Sequence, residues 1–268
     1  SQAYQGNVVK ELSDTLKSQL IHNIEFSKST DDQVGGMNAT LYGTVRLSQS
    51  EGVVFDRATS SSRDGWVELE SVSLGSDLTI ACWVKFGEWV QWMRVIDFGS
   101  GANNDNIIIC TNQYSGRLFF GFRNGSTSYS MATTSSVILE DVWTHLVFVI
   151  DSTGEMKGYQ DGVEILSNTS VPELNTVTRS NMYVGRSNWT ANKDFDGEIR
   201  SIQIWDRVLS SEEVAELYNS VNDPYYQVNT NDPSYNLKTE YTVISVARYD
   251  STFTSDRKRI LSSGFDDN

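Results

Sequence analysis

The sequence predicts an all-β sandwich of two antiparallel sheets. Three observations carry this expectation. Short apolar or alternating runs recur along most of the 268-residue chain. Clusters of Gly, Asn, Asp and Ser separate them, as turns separate strands. Helical periodicity is confined to one segment near the start and one after the last strong strand signal. Many short strands with frequent turns and little helix form a sandwich rather than a sheet wound with helices. The hydrophobic fraction of 38% suffices for the single interior between two sheets.

The elements follow in chain order. Residues 1–19 are expected to be a helical lead-in, because NVVKELSDTLKSQL sets Val8, Val9, Leu12, Leu16 and Leu20 near helical spacing. Strand-like runs begin at IHNIEF and continue through ATLYGTVRL, GVVFD, GWVELESV, LTIACWVKF, MRVIDFG, NIIICT and RLFFGFR. In WTHLVFVID, Leu146, Phe148 and Ile150 point one way and His145, Val147 and Val149 the other. Both faces are largely apolar, so this strand is central and its outer face is partly covered. The sequence Asp161-Gly162 suits a two-residue hairpin turn that needs positive φ at both positions. Tyr159 is expected to lay its ring across the sheet edge. LSSEEVAELYNSV closes the region as a helix, capped by Ser210 or Ser211, with Val214, Leu217 and Tyr218 on one face.

WTHLVFVID followed by GYQDGV resembles the central signature of laminin-G-like modules. These are concanavalin A-like jelly-roll sandwiches, related to pentraxins and legume lectins. IEFSKSTDDQVGGMNATLYG, GVVFD with GWVELES, LTIACWVKF, and NMYVGRSNWTANKDFDGEIRSIQIWDRVLSSEEVAELY resemble further family segments in the right order. The resemblance covers residues 20–220 and implies a concanavalin A-like jelly roll there. Residues 221–236, with two Asp-Pro turns, are read as a linker. The segment 237–268 echoes 78–105: Thr242-Val243 matches Thr79-Ile80, Arg248-Tyr249 matches Lys85-Phe86, and Arg259-Ile260-Leu261 matches Arg94-Val95-Ile96. It is expected to be the opening of a second, truncated concanavalin A-like module; a C-terminal hairpin added to the first sandwich is the alternative.

Chemistry finds few footholds. The only histidines, His22 and His145, fall in strand-like runs, and no nucleophile elbow, phosphate loop or HExxH pair is present. Asp194, Asp196 and Glu198 alternate as glycosidase carboxylates can, but Gly197 and the Phe195-Asp196-Gly197 step read as a loop-to-strand turn. Cys82 and Cys110 sit in apolar runs and are expected to be buried free thiols. The resemblance implies calcium as the inorganic partner, with Asp31, Asp32, Asp56 and Asp97 as candidate ligands. Arg200 and Ser201 stand where many relatives carry an Asp pair, which speaks against the ion.

Sugar binding needs flat aromatic faces beside hydrogen-bonding loops. KFGEWVQWMR offers Trp89 and Trp92, GSGANNDN offers Asn104, and SNWTANKD offers Trp189 and Asn192. Trp83, Trp143 and Trp205, which lie in or at strands, are expected to be buried. Sequons at Asn38, Asn124, Asn168 and Asn188 are no more than this Ser-, Thr- and Asn-rich composition produces.

A formal net charge of −14 repels phosphate backbones and anionic bilayers, so nucleic acid is not an expected partner. No apolar run approaches the ~18 residues of a membrane span. The expected function is a non-catalytic recognition module that binds glycan or a partner protein at a cell surface or in a matrix, with an extracellular or cell- or particle-surface location. The alternative is a cementing module held by neighbouring subunits of an extracellular filament or virus particle.

Overall fold

The computed structural model describes residues 12–55, 65–89, 92–113, 116–192 and 194–220. Asp56 and the segments 221–236 and 237–268, with their expected linker and second module, lie outside them. The chain begins with α1 (Asp14–Ser18), then β1 (His22–Glu25), β2 (Ala39–Gly43), β3 (Arg46–Ser48), β4 (Gly52–Phe55), β5 (Gly65–Leu69) and β6 (Ser73–Leu74). The middle holds β7 (Leu78–Phe86), β8 (Arg94–Gly99), β9 (Ile107–Thr111), β10 (Leu118–Asn124), β11 (Thr127–Ala132) and β12 (Trp143–Asp151). It closes with β13 (Glu155–Gln160), β14 (Val163–Asn168), β15 (Val177–Thr178), β16 (Asn181–Val184), β17 (Gly197–Trp205) and α2 (Ser211–Tyr218).

Two antiparallel sheets face each other, as in a jelly roll. The first runs β14-β13-β12-β7-β17-β4-β3, with β1 also paired to β17. The second runs β11-β10-β9-β8-β16-β5-β2, and β15 pairs with β6 beside them. Long sequence separations between neighbours, such as β7 with β17, mark a sandwich woven by crossovers rather than a chain of hairpins.

Pleating sorts the side chains. On β7, Leu78, Ile80, Cys82, Val84 and Phe86 face the second sheet, and on β12 Leu146, Phe148 and Ile150 join them in the main core. The opposite face of the same strands is also buried. Ala81, Val147, Val149, Tyr159 and Trp205 meet Leu12, Leu16, Leu20, Leu209, Val214 and Leu217 in a second core. The helices α1 and α2 thus roof the first sheet, which is why β12 reads as apolar on both faces. Tyr159 lies beneath this roof rather than across the sheet edge, with its hydroxyl 3.2 Å from Ser211 Oγ.

Local chemistry fixes the ends of these pieces. Ser13 caps α1, and Trp205 Nε1 donates to Leu16 O at 3.0 Å, which ties the lead-in to the sheet. Ser210 caps α2 in a reciprocal capping box with Glu213. Asp161 and Gly162 have φ of 51° and 79°, as a two-residue turn between Gln160 and Val163 requires. The Asp161 carboxylate also accepts from His145 N at 2.9 Å and stitches the turn to β12. Trp83, Trp143 and Trp205 are buried. Both cysteines are buried free thiols, and burial pushes Cys82 up to about 12.

Phe148→Ala should cost about 3–5 kcal/mol, because the main core around the buried ring cannot collapse fully into the void. Val163→Ala, at a side chain 64% exposed, should stay within about 0.5 kcal/mol of the parent. Denaturant unfolding of both variants measures the contrast, and equal costs would contradict the assigned core.

Candidate functional site

Among the described residues, no helix roofs the outer face of the second sheet as α1 and α2 roof the first. An irregularity between Arg94 and Ile96 lets Val95, Ile96 and Phe98 join the core while Arg94 and Asp97 lie off it. On β10, Leu118, Phe120 and Phe122 face the core, which turns Phe119, Gly121 and Arg123 outward. The loop 185–196 folds over this face. Phe195 N donates to Gly185 O at 2.7 Å and closes its base, and Gly185 N donates to Val95 O at 3.0 Å.

Between loop and sheet lies an open groove of about 260 Å³. Enclosed small-molecule pockets run from roughly 300 to 1,000 Å³, so this is a surface cleft rather than a reaction chamber. Trp92 and Phe119 meet edge to face at one end, 5.7 Å between ring centres. Trp189 and Asn192 come from the loop, and Ile108 and Gly121 form the floor. A Cβ at Gly121 would stand 2.9 Å from Tyr129 O and 3.0 Å from the Phe119 ring, so only glycine fits there. The Arg94 guanidinium lies 5.8 Å from the Trp92 ring centre and 5.5 Å from that of Trp189, and Arg123 lies 5.6 Å from Trp189.

One buried carboxylate organises these groups. Asp97 is fully buried at the middle of β8. Its Oδ1 accepts from Asn106 Nδ2 at 2.8 Å and Asn188 Nδ2 at 2.9 Å. Its Oδ2 accepts from Asn188 N at 3.0 Å and, at 3.4 Å each, from Ser187 Oγ and Arg94 Nε. Ser187 Oγ in turn accepts from Trp189 N at 3.1 Å and Asn192 Nδ2 at 2.9 Å. Arg94 donates from Nη1 to Trp92 O at 3.0 Å. Trp92 needs that hold, because its φ of 55° is a left-handed backbone that a bulky residue rarely adopts.

Three of the five expected sugar-binding residues, Trp92, Trp189 and Asn192, therefore meet at one groove. Trp89 packs against the main core, with its indole nitrogen buried and no acceptor for it among the described residues. Asn104 is an exposed turn residue whose N–H donates to Asn106 Oδ1 at 2.9 Å and whose Nδ2 donates to Ser100 O at 3.2 Å. It supports the Asp97 anchor through Asn106 and does not line the groove. Arg94, Phe119, Gly121 and Arg123 were not singled out from sequence. The alternation in RLFFGFRN carried a signal for the last three, because Phe119, Gly121 and Arg123 fall opposite the apolar Leu118, Phe120 and Phe122. The sequon residue Asn188 donates both Nδ2 hydrogens to Asp97, so a glycan there would displace the anchor.

Two of the calcium candidates, Asp32 and Asp97, have their carboxylate oxygens engaged by protein donors, while Asp31 is an exposed residue of the 27–33 turn region. Asp97 is saturated by the five donors above. Asp32 accepts from Asn23 N and Val34 N on Oδ1 at 2.8 and 3.0 Å, and from Met37 N on Oδ2 at 2.8 Å. His22 Nδ1 stands 2.6 Å from the same Oδ2. N–H donors aimed at a carboxylate occupy the directions in which a metal ion would sit. Among the described residues, no three His, Cys, Asp or Glu side chains form a metal-binding group. The alternating carboxylates face separate partners: Asp196 accepts from Glu88 N at 3.0 Å, and Glu198 pairs with Lys85, which also holds Glu51. Burial of Glu198 raises its pKa against the pull of Lys85. His145 is buried against Trp83 and Tyr218, and burial holds it down at about 3, so it is neutral across the physiological range.

Asp97→Ala should cost about 3–5 kcal/mol, the penalty for leaving the buried Arg94 and the amide donors without their acceptor. Guanidinium unfolding reads this directly, and a loss below about 1 kcal/mol would contradict the anchoring role. A second outcome concerns acid. Burial disfavours ionised Asp32, yet the Asn23 amide, His22 and the Met37 and Val34 amides together hold its carboxyl well below the ordinary range. A depressed folded-state value stabilises the fold fully above the ordinary carboxylate value of 3.8 and less as the pH falls below it. The stability gap between the parent and Asp32→Ala should therefore be wide at neutral pH and narrower at about pH 2. An equal gap at both would contradict the assignment.

Comparison with known proteins agrees with this architecture. Domain 4 of AbnA, a GH43 extracellular arabinanase from Geobacillus stearothermophilus solved in complex with arabinotriose, is 22% identical with a TM-score of 0.62. The match covers 75% of this chain and 98% of that one. The binding domain of botulinum neurotoxin serotype D/C VPI 5993 is 16% identical with a TM-score of 0.59, over 76% of this chain and 52% of that one. Botulinum neurotoxin type C, whose passage into cells depends upon interaction with two ganglioside molecules, is 19% identical with a TM-score of 0.57, again over 76% and 52%. The chain thus spans about half of each toxin fragment. At these identities the likeness shows the fold alone. No curated protein matches the sequence. The laminin-G sequence model described as concanavalin A-like lectin/glucanases superfamily matches residues 60–215, more than half of the chain. With its two-sheet jelly roll, the chain belongs to the concanavalin A-like lectin/glucanase superfamily.

Proposed function

We propose that this domain is a non-catalytic glycan-recognition module, acting outside the cell or at a surface, with its ligand in the groove over β8 to β10. The observation that carries the reading is the pair Trp92 and Trp189 beside a floor left bare at Gly121. Pyranose rings present flat C–H faces that pack on indoles, while their hydroxyls need donors and acceptors of the kind that Asn192 and Ser128 supply at this groove. The shallow opening suits one stretch of a longer chain better than an enclosed small molecule. The arabinotriose held by the arabinanase domain and the gangliosides of neurotoxin type C show that proteins of similar fold serve glycan recognition. A complex of the neurotoxin DC binding domain with rat synaptotagmin II shows a protein partner as well. The described residues that line the groove include no Asp or Glu, which supports recognition over hydrolysis there.

A glycan array followed by titration calorimetry tests the reading. The parent should bind a subset of glycans, and Trp92→Ala should weaken that binding about tenfold or more while the melting temperature changes little. If Trp92→Ala binds as the parent does, or mainly destabilises the fold, the groove is not the ligand site. A folded parent that binds no glycan but associates with itself as concentration rises would move the reading to a cementing module.

A further inference from the structure

Charge is distributed unevenly between the chain and its groove. The chain carries a formal net charge of −14, yet the charged residues among the described lining of the groove are Arg94 and Arg123, with no Asp or Glu in that lining. The two arginines are not equivalent. Arg94 is buried, its Nε faces Asp97, and its Nη1 is spent on Trp92 O. Its charge is met within the protein, and it positions the rings. Arg123 is half-buried and has no ion-pair partner among the described residues. Its Nη1 donates to the Ser126 carbonyl, while its Nε is buried without an acceptor. The guanidinium lies over the Trp189 ring, which limits its swing.

The Nε is closed to a ligand, but a half-buried guanidinium with no counter-ion among the described residues is costly unless an anionic acceptor meets its outer Nη groups. The acceptor that satisfies it best is a planar carboxylate, which receives two parallel N–H donors in the fork geometry that Lys cannot offer. We infer that the groove selects an acidic glycan whose sugar carboxylate pairs with Arg123 while its ring packs between Trp92 and Trp189. This rests on the glycan reading above and narrows it to uronic- or sialic-type sugars. Arg123 is then the specificity-determining residue, whereas the two indoles supply contact that any pyranose can use. The net charge of −14 disfavours general adsorption of such a ligand elsewhere on the protein.

Calorimetry with three probes tests the inference: a uronic-acid oligosaccharide, the same oligosaccharide with its carboxyls reduced to alcohols, and a sulfated neutral oligosaccharide of equal length. The uronate should bind about tenfold or more tighter than its reduced form, and tighter than the sulfated one. Arg123→Gln should erase that preference without abolishing the weaker binding of the reduced sugar, and Arg123→Lys should recover only part of it. The wild-type comparison between acid and alcohol requires no variant, so it stands even if Arg123→Gln folds poorly. Equal binding of acid and alcohol overturns the acidic selectivity and leaves the glycan groove in place. Tighter binding of the sulfated sugar overturns the carboxylate assignment. A folded parent that binds none of the three, and no glycan on the array, overturns both readings.

Discussion

A single buried carboxylate sets the geometry of the second sheet's outer face. An ion removed from water costs several kcal/mol unless the protein replaces the lost solvent with well-placed donors. Asp97 meets this requirement with five donors drawn from β8 itself, from the turn that ends at Asn106, and from Ser187 and Asn188. The donors belong to segments far apart in sequence, so the need to neutralise one charge draws separate loops to one point. Through Ser187 the same charge orients the Trp189 backbone, and through Arg94 it reaches the carbonyl of Trp92. The spacing of the two indoles is therefore set electrostatically, by a residue that touches neither ring.

The two sheets divide the remaining labour. The first is buried on both faces, against the main core inside and against α1, α2 and Trp205 outside. That double burial is interrupted beside the start of α2, where Glu155, Lys157, Tyr159 and Ser211 border a small cleft. The second is packed on its inner face by Ile96, Phe98, Phe120 and Phe122, and its outer face carries the aromatic and arginine side chains. A recognition surface on a sheet backed by a dense interior holds its side chains at strand spacing, more firmly than a surface built on loops alone. The loop 185–196 adds Trp189 and Asn192 to that frame and is itself tied down at both ends.

Much of the fold was legible because it rests on local periodicity. The alternation in LTIACWVKF and WTHLVFVID, the turn at Asp161-Gly162 and the cap at Ser210 each follow from chemistry within a few residues. The site was legible only in part. Trp89 and Trp92 lie three residues apart in one loop, and nothing in the local sequence separates them. One is core and the other lines the groove because Arg94 and Asp97, beyond that loop, hold Trp92 in a left-handed turn. Asn104 looked like a ligand contact by residue type, yet its hydrogen bonds serve the turn that carries Asn106. Asp32 and Asp97 looked like metal ligands for the same reason. Their function depends on which amides surround them, a tertiary fact that composition does not reveal. Arg123 was overlooked because a charge at a strand end usually means a solvated edge, and here Trp189 folds over it.

The anchored loop has a consequence for how such a domain diversifies. Ser187 and Asn188 carry the bonds to Asp97 and Asn192 braces Ser187, whereas the exposed Thr190 and Ala191 make no bond in that network. Substitutions at those two positions, between the lining residues Trp189 and Asn192, can alter the rim of the cleft without disturbing the charge network beneath it. Drift among descendants of this sequence can then retune ligand choice one residue at a time, each intermediate remaining a folded protein. Asp97, Asn106 and Asn188 form the opposite class, in which a change at one member strands its partners and is removed by selection on stability before binding is ever tested.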